Sequence, residues 1–256
     1  MKVNSNLSQE KRMQTAIYPD TNTLSHEAAH YIVRIANESI VTRGRFSLAL
    51  SGGSTPKVLY GLFAVEPYRS QIDWSSVEIF WSDERCVPPD SPDSNYAMAN
   101  EVLLGKIPIQ PNQVHRMPAD QPDRDAASQA YTLEMQRLFG TNGIPAFDLL
   151  QLGMGPEGHT ASLFPHQQSL HEQDRLVMPV TVPKPPPARL TFTPPLLNAA
   201  RHVLFLVTGA EKADAVQAVL EGEYQPEEYP AQLIRPTNGE VTWMLDTSAA
   251  GKLSHK

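Results

Sequence analysis

The residues best able to do chemistry gather in one stretch, Gly153-Met154-Gly155-Pro156-Glu157-Gly158-His159-Thr160-Ala161-Ser162-Leu163-Phe164-Pro165. His159, with an ordinary pKa near 6.5, can take and return a proton at neutral pH. Glycines at 153, 155 and 158 let the chain turn tightly and let a ligand approach the backbone. The apolar run from Phe147 to Leu152 reads as a buried strand that feeds this turn. A lone loop histidine more often only hydrogen-bonds its neighbours. The glycines around His159 and two further motifs favour a functional role.

The first of those motifs is Ser51-Gly52-Gly53-Ser54-Thr55-Pro56, which follows the apolar strand 46–50. Pro56 is expected to open a helix running to Phe63, as proline does at a first helical position. Strand, glycine loop, hydroxyls and helix start together make an anion cradle, because first-turn amides lack intrahelical partners and the helix dipole favours negative charge. It is not a Walker loop: the spacing is short and no Lys-Ser/Thr pair closes it. By itself the motif reads equally well as an ordinary capped turn. The second motif, Ser82-Asp83-Glu84-Arg85-Cys86, closes the strand 77–81. Three charges at a strand end are hard to place in a core. They read either as a surface ion pair or as Arg85 entering the same cleft, positioned by Asp83 or Glu84. Cys86 is given no chemistry. Arg189 and Lys212 are two further candidate anion contacts. Lys212 lies in the first turn of the helix expected over 211–220, where the dipole prefers acids, so an anion at that helix start would explain it.

The rest of the chain supplies the frame. Apolar periodicity predicts helices over 24–41, 95–104 and 123–139, with a short one over 194–200. Strands are expected at 16–18, weakly at 114–117, then at 176–182, 188–192, 202–207 and 241–245. Residues 183–187 form a stiff proline connector. His26 and His30 stand four apart on the first helix with no third ligand in view, so a solvated helix face is the better reading than a metal site. From residue 46 strands alternate with helices. That pattern predicts an α/β fold, a mostly parallel sheet with helices on both faces. In such a sheet Ser51 to Thr55, Asp83 to Arg85, Glu157 to His159 and Lys212 would share one edge. Backbone amides with Arg189, Lys212 and Arg85 would then form a phosphate-sized cationic pocket. His159 would face whatever the phosphate carries, so a sugar phosphate is the natural ligand.

Composition narrows the choices. A chain of 256 residues with 41% apolar and 19% charged residues can bury one full core, so a single domain over 1–256 is expected. Residues 1–14 and 251–256 are expected to be loose. A net charge of −7 leaves no basic footprint for nucleic acid, and no apolar run nears the ~20 residues of a membrane helix. The polar N-terminus shows no apolar secretory signal, and one cysteine fits a reducing cytoplasm. A monomer is expected. No metal ligand set is apparent.

The strings S-G-G-S-T-P after a strand, W-S-D-E-R, G-M-G-P-E-G-H-T-A-S-L-F-P, R-L-T-F-T-P-P-L-L-N and V-T-G-A-E-K occur in this order. Together they resemble the 6-phosphogluconolactonase family over roughly residues 20–250. The resemblance implies a Rossmann-like three-layer sandwich shared with glucosamine-6-phosphate deaminase. It also implies hydrolysis of 6-phosphoglucono-δ-lactone in the oxidative pentose phosphate pathway, without metal or cofactor. His159 would be the general base. Ser51, Gly52, Gly53, Ser54, Thr55, Arg189 and Lys212 match the family's phosphate contacts. Arg85 would hold either the oxyanion or the phosphate. Many relatives carry Asp where this chain has Glu157, which keeps the carboxylate but reaches a methylene further; its role as orienter of His159 is left open. The nearest rival is glucosamine-6-phosphate deamination, whose enzymes carry a glutamate where Phe164 stands. A non-catalytic sugar-phosphate sensor is the rival of another class. It would need no base and usually brings a partner domain.

Overall fold

In the computed structural model, which describes residues 13–254, six parallel strands form the central sheet. They are β1 (Met13–Tyr18), β2 (Phe46–Leu50), β3 (Val77–Trp81), β5 (Leu149–Leu152), β8 (His202–Val207) and β9 (Glu240–Asp246), in the spatial order β1-β9-β8-β5-β2-β3. Every neighbouring pair is parallel. Both faces of the inner strands are covered, which is why β2, β5 and β8 read as mostly apolar runs rather than as alternating ones. Leu48 and Leu50 point to one core while Ala49 points to the other; Leu204 and Leu206 oppose Val203, Phe205 and Val207 in the same way. Helices α1 (Thr21–Arg43), α2 (Ser54–Phe63) and α3 (Asn95–Val102) fill one side. Helices α4 (Arg124–Phe139), α5 (Pro194–Leu197) and α6 (Ala213–Glu221) fill the other. Each fully buried Leu or Phe stabilises the fold by about 1.5–3 kcal/mol relative to exposure.

A second, antiparallel sheet was not foreseen. It has the order β4-β7-β6, from β4 (Asp83–Arg85), β7 (Ala188–Phe192) and β6 (Val177–Thr181). Asp83 to Arg85 therefore form a strand of their own instead of a loop after β3. Arg85 pairs across this sheet with Arg189.

Several boundaries move. Helix α2 starts at Ser54 behind Gly53, whose φ of +118° suits glycine, so Pro56 is the third helical residue and not the first. The expected strand at 114–117 is reduced to one bridge between Val114 and Ile79. Lys212 ends a short 3₁₀ turn and caps α6 instead of lying inside it. Two expectations of loose ends are corrected. Met13 and Gln14 belong to β1, held by parallel pairing along β9; residues 1–12 lie outside the described residues. Residues 251–254 are anchored: Leu253 packs into the core, and Ser254 bonds Glu221 through both N–H and hydroxyl. Residues 255–256 lie outside the described residues. No described helix is long and apolar enough to cross a membrane.

His26 and His30 both meet the Tyr68 hydroxyl, at 2.9 and 3.2 Å. Among the described residues no cluster could hold a metal. A different histidine is charged. His115 lies against Phe80 and bonds Glu134 through Nδ1 at 2.6 Å and Glu78 through Nε2 at 2.8 Å. Burial alone would lower its pKa, but the two carboxylates outweigh burial and raise it to about 9. The unfolded value is near 6.5, so this cluster stabilises the fold fully below that pH and loses its effect as pH rises toward 9. Thermal melts should show Tm falling between pH 6.5 and 9, and His115→Gln should flatten that slope. An unchanged slope in the variant would refute the assignment.

Candidate active site

The strand order fixes where the site lies. From β2 the chain moves outward to β3, then returns across β2 to β5. The carboxyl ends of β2 and β5 therefore flank a topological switch point, where open α/β sheets bind ligands. The loop after β2 and the turn after β5 line one pocket there. Of the sequence-predicted residues, Ser51, Gly52, Gly53, Ser54, Thr55, Asp83, Arg85, His159, Arg189 and Lys212 all line it. Glu157 does not line it but stands behind His159.

The glycine loop is fastened from below. Ser51 is buried and donates its hydroxyl to Gln151 Oε1 at 2.8 Å, while its N–H donates to the Tyr60 hydroxyl at 3.0 Å. The Ser51 side chain is thus occupied in holding the loop. Gly52 has no room for a side chain: a Cβ there would stand 1.9 Å from Asn95 Oδ1. Past it, the Ser54 and Thr55 amides open α2 with no intrahelical acceptor. The Thr55 hydroxyl meets that of Thr208 at 2.7 Å, tying this loop to the end of β8.

Two desolvated cations face the cradle. Arg189 is 5% exposed; its Nε donates to the Pro186 carbonyl at 3.1 Å, and its nearest carboxylate, Asp83, is 3.8 Å away. Burial lowers the Arg189 pKa against the pull of Asp83. Lys212 is also lowered by burial, with Glu211 only at 4.0 Å. Neither has a close ion-pair partner among the described residues, so a bound anion would offset the cost of burying both. Asp83 is largely committed elsewhere: it accepts the Ser162 hydroxyl at 2.6 Å. Glu84 holds Arg85 only by its main chain, accepting the Arg85 N–H at 2.8 Å through Oε1. It accepts from Ser94 and from the amides of Asn95 and Tyr96, and so caps α3. Its burial raises its pKa despite those bonds. Arg85 donates to the Asp93 carbonyl, while its buried Nε has no partner among the described residues.

His159 sits on a turn closed by Gly155 N–H to the His159 carbonyl at 2.9 Å and Gly158 N–H to the Gly155 carbonyl at 2.9 Å. Gly158 has φ +77°. The imidazole stacks on Phe164 with centroids 4.0 Å apart and an 11° tilt. Its Nδ1 stands 3.2 Å from Glu157 Oε2, but the two are not aligned as a hydrogen bond, so the contact is electrostatic. Burial lowers the His159 pKa, and Glu157 only partly counters it. The ring is therefore neutral at neutral pH. Burial works upward on Glu157, but His159 and Lys184 outweigh it and hold this carboxyl well below its ordinary range. Lys184 Nζ is 2.7 Å from Glu157 Oε1.

The pocket also takes Lys184, Asn95 and Thr208, which the sequence does not mark as site residues. Lys184 lay in the proline connector, which was read only as a stiff loop; a cation five residues before Arg189 was the available signal. Asn95 was taken as a helix start and Thr208 as a strand end. Nothing local marks either of them as facing a pocket.

A pocket built this way can bind an anion against helix amides, the buried Arg189 and the half-buried Lys212, with the His159 imidazole beside it. Known proteins share the sequence and the fold. The profile of the family described as glucosamine-6-phosphate isomerases/6-phosphogluconolactonase matches residues 19–243. A 6-phosphogluconolactonase of Synechocystis is 43% identical over 218 residues, covering 84% of this chain and 88% of that protein. One from Nostoc is 38% identical, covering 93% of this chain and 97% of its own. The solved 6-phosphogluconolactonase of Trypanosoma cruzi superposes with a TM-score of 0.83 at 32% identity, covering 95% of this chain and 97% of its own. With a match of this extent, the chain belongs to the glucosamine-6-phosphate isomerase/6-phosphogluconolactonase family.

Proposed function

We propose that this protein hydrolyses 6-phospho-D-glucono-1,5-lactone to 6-phospho-D-gluconate, the lactone-opening step of the oxidative pentose phosphate pathway. The observation that carries the mechanism is His159, half-buried against Phe164 on the rim of a cationic pocket. The phosphate lies against the amides of Gly53, Ser54 and Thr55, with Arg189 and Lys212 on its other side. That anchors the sugar with its carbonyl toward His159. Glu157, ionised, faces Nδ1 and favours the tautomer with the proton there, leaving the Nε2 lone pair to accept. His159 takes a proton from water as the oxygen attacks the lactone carbonyl. The tetrahedral oxyanion forms near Arg85, whose unpaired Nε is the donor we assign to it. The ring C–O bond then breaks, and the leaving oxygen takes the proton back from His159. No step requires a metal or cofactor. Glu157 and Arg85 thus join His159 in the catalytic set, and Ser51, Gly52 and Asp83 shape the binding loop.

The protein acts as a single domain and a monomer in the cytoplasm. Supporting the compartment, the single cysteine fits a reducing environment.

Reaction class is tested directly. Purified protein should accelerate opening of the lactone and release no ammonia from glucosamine 6-phosphate. Phe164, stacked on His159, offers no carboxyl to move protons between sugar carbons. Ammonia release at a rate comparable with lactone hydrolysis would reverse the choice.

A further inference from the structure

The opposite edge of the sheet carries a second cationic cleft. Strands β8, β5 and β2 are adjacent and parallel, so the residues just before them stand side by side: Arg201, Asp148 and Arg45. Arg43 joins them from the last turn of α1. These residues line a cleft of about 500 Å³ with Ile144 and Phe139 on its apolar wall.

One carboxylate cannot neutralise three guanidinium groups, and Asp148 is already shared. Its Oδ2 accepts from the Ser47 N–H at 2.8 Å and the Ser47 hydroxyl at 2.7 Å. Its Oδ1 accepts from Arg43 Nε at 2.7 Å, and Arg201 Nε stands 3.6 Å off, beyond hydrogen-bond reach. Arg45 spends one nitrogen, Nη1, on the Leu138 carbonyl at 2.7 Å and lies over Phe139. Among the described residues the Arg201 guanidinium makes no hydrogen bond, and Arg43 Nη1 and Arg45 Nη2 make none either. In a chain of net charge −7, a local cationic excess around a cleft with unspent planar donors is a departure from the general field. Guanidinium forks match phosphoryl oxygens in geometry as well as charge.

We infer that this cleft, at the amino ends of β2, β5 and β8, is a second anion site, one for a small molecule bearing two or more phosphoryl groups. Arg201, Arg45 and Arg43 are its donors, and Asp148 holds them apart and oriented. It lies across the sheet from the pocket of His159 and takes no part in the lactone chemistry.

Isothermal titration with inorganic pyrophosphate tests this on the intact protein. Wild type should show two sites, the catalytic pocket and this cleft. Saturating 6-phosphogluconate should remove the first and leave the second. Arg201→Ala should weaken the remaining site on the order of tenfold or more, the worth of a lost charge-assisted contact. Its lactonase kcat and KM should be unchanged. Because the Arg201 side chain is half-exposed and makes no hydrogen bond among the described residues, while its backbone bonds survive in alanine, the substitution should not unfold the protein. Arg45→Ala should act in the same direction. A single pyrophosphate site in wild type, or a second site indifferent to Arg201→Ala, overturns the inference. If 6-phosphogluconate blocks neither site, the reading of the catalytic pocket fails instead, and the cleft is still judged by Arg201→Ala.

Discussion

His159→Asn should lower kcat by roughly 10²- to 10⁴-fold, the usual worth of a general base. Asparagine keeps a polar side chain of similar reach but accepts no proton at neutral pH. Binding of 6-phosphogluconate should change little, because the anion contacts come from other residues: the amides after Gly53, Arg189 and Lys212. The structure sharpens the pH dependence. Burial lowers the His159 pKa from its ordinary value, so the base is fully neutral at pH 7. As pH drops, wild-type kcat should therefore fall at a lower pH than an ordinary histidine would set, because the lone pair is lost only as the lowered pKa is crossed. Glu157 stays ionised across the whole window, since His159 and Lys184 hold its pKa down. The rate must be corrected for spontaneous lactone opening, which grows with hydroxide. Near wild-type kcat in folded His159→Asn would place the base elsewhere and sink the mechanism.

Gly155→Ala should cost on the order of 10²-fold in kcat while leaving the fold intact. A Cβ at residue 155 would stand 2.0 Å from His159 Nδ1 and 2.6 Å from Glu157 Oε2. Both are side-chain atoms, so the backbone can keep its course while the imidazole is pushed off Phe164. Misplacing a catalytic group by about 1 Å is enough for a loss of that size. The melting temperature should drop only slightly, because the atoms displaced lie at the pocket rim and not in either core. Wild-type activity in Gly155→Ala would mean that the ring position seen here is not the working one.

The sequence by itself determined the frame and its reactive ends. Runs such as 46–50 and 202–207 are mostly apolar on both faces, with only Ser47 and His202 polar, because both faces of a parallel sheet are covered, and that pattern is local. Glycines at 53 and 158 mark turns for an equally local reason: their φ values of +118° and +77° are ones other residues rarely adopt. His159 stood out because it followed such a turn after such a run. The small antiparallel sheet could not be read in the same way. Asp83–Arg85 is three residues long, and its partner lies about a hundred residues away, so no periodicity announces the pairing that sets Arg85 opposite Arg189. The roles of the acids were also decided by the tertiary structure. Glu84 was a candidate support for Arg85, yet it meets Arg85 only through the backbone N–H, and the start of α3 lies over it and takes its other bonds. Lys184 was one cation in a proline run until folding set it 2.7 Å from Glu157. What makes His159 a usable base is a tertiary quantity as well. A histidine's pKa follows from how much water and charge surround the ring, and only the packed chain, with Phe164 against one face and Glu157 beside Nδ1, fixes both.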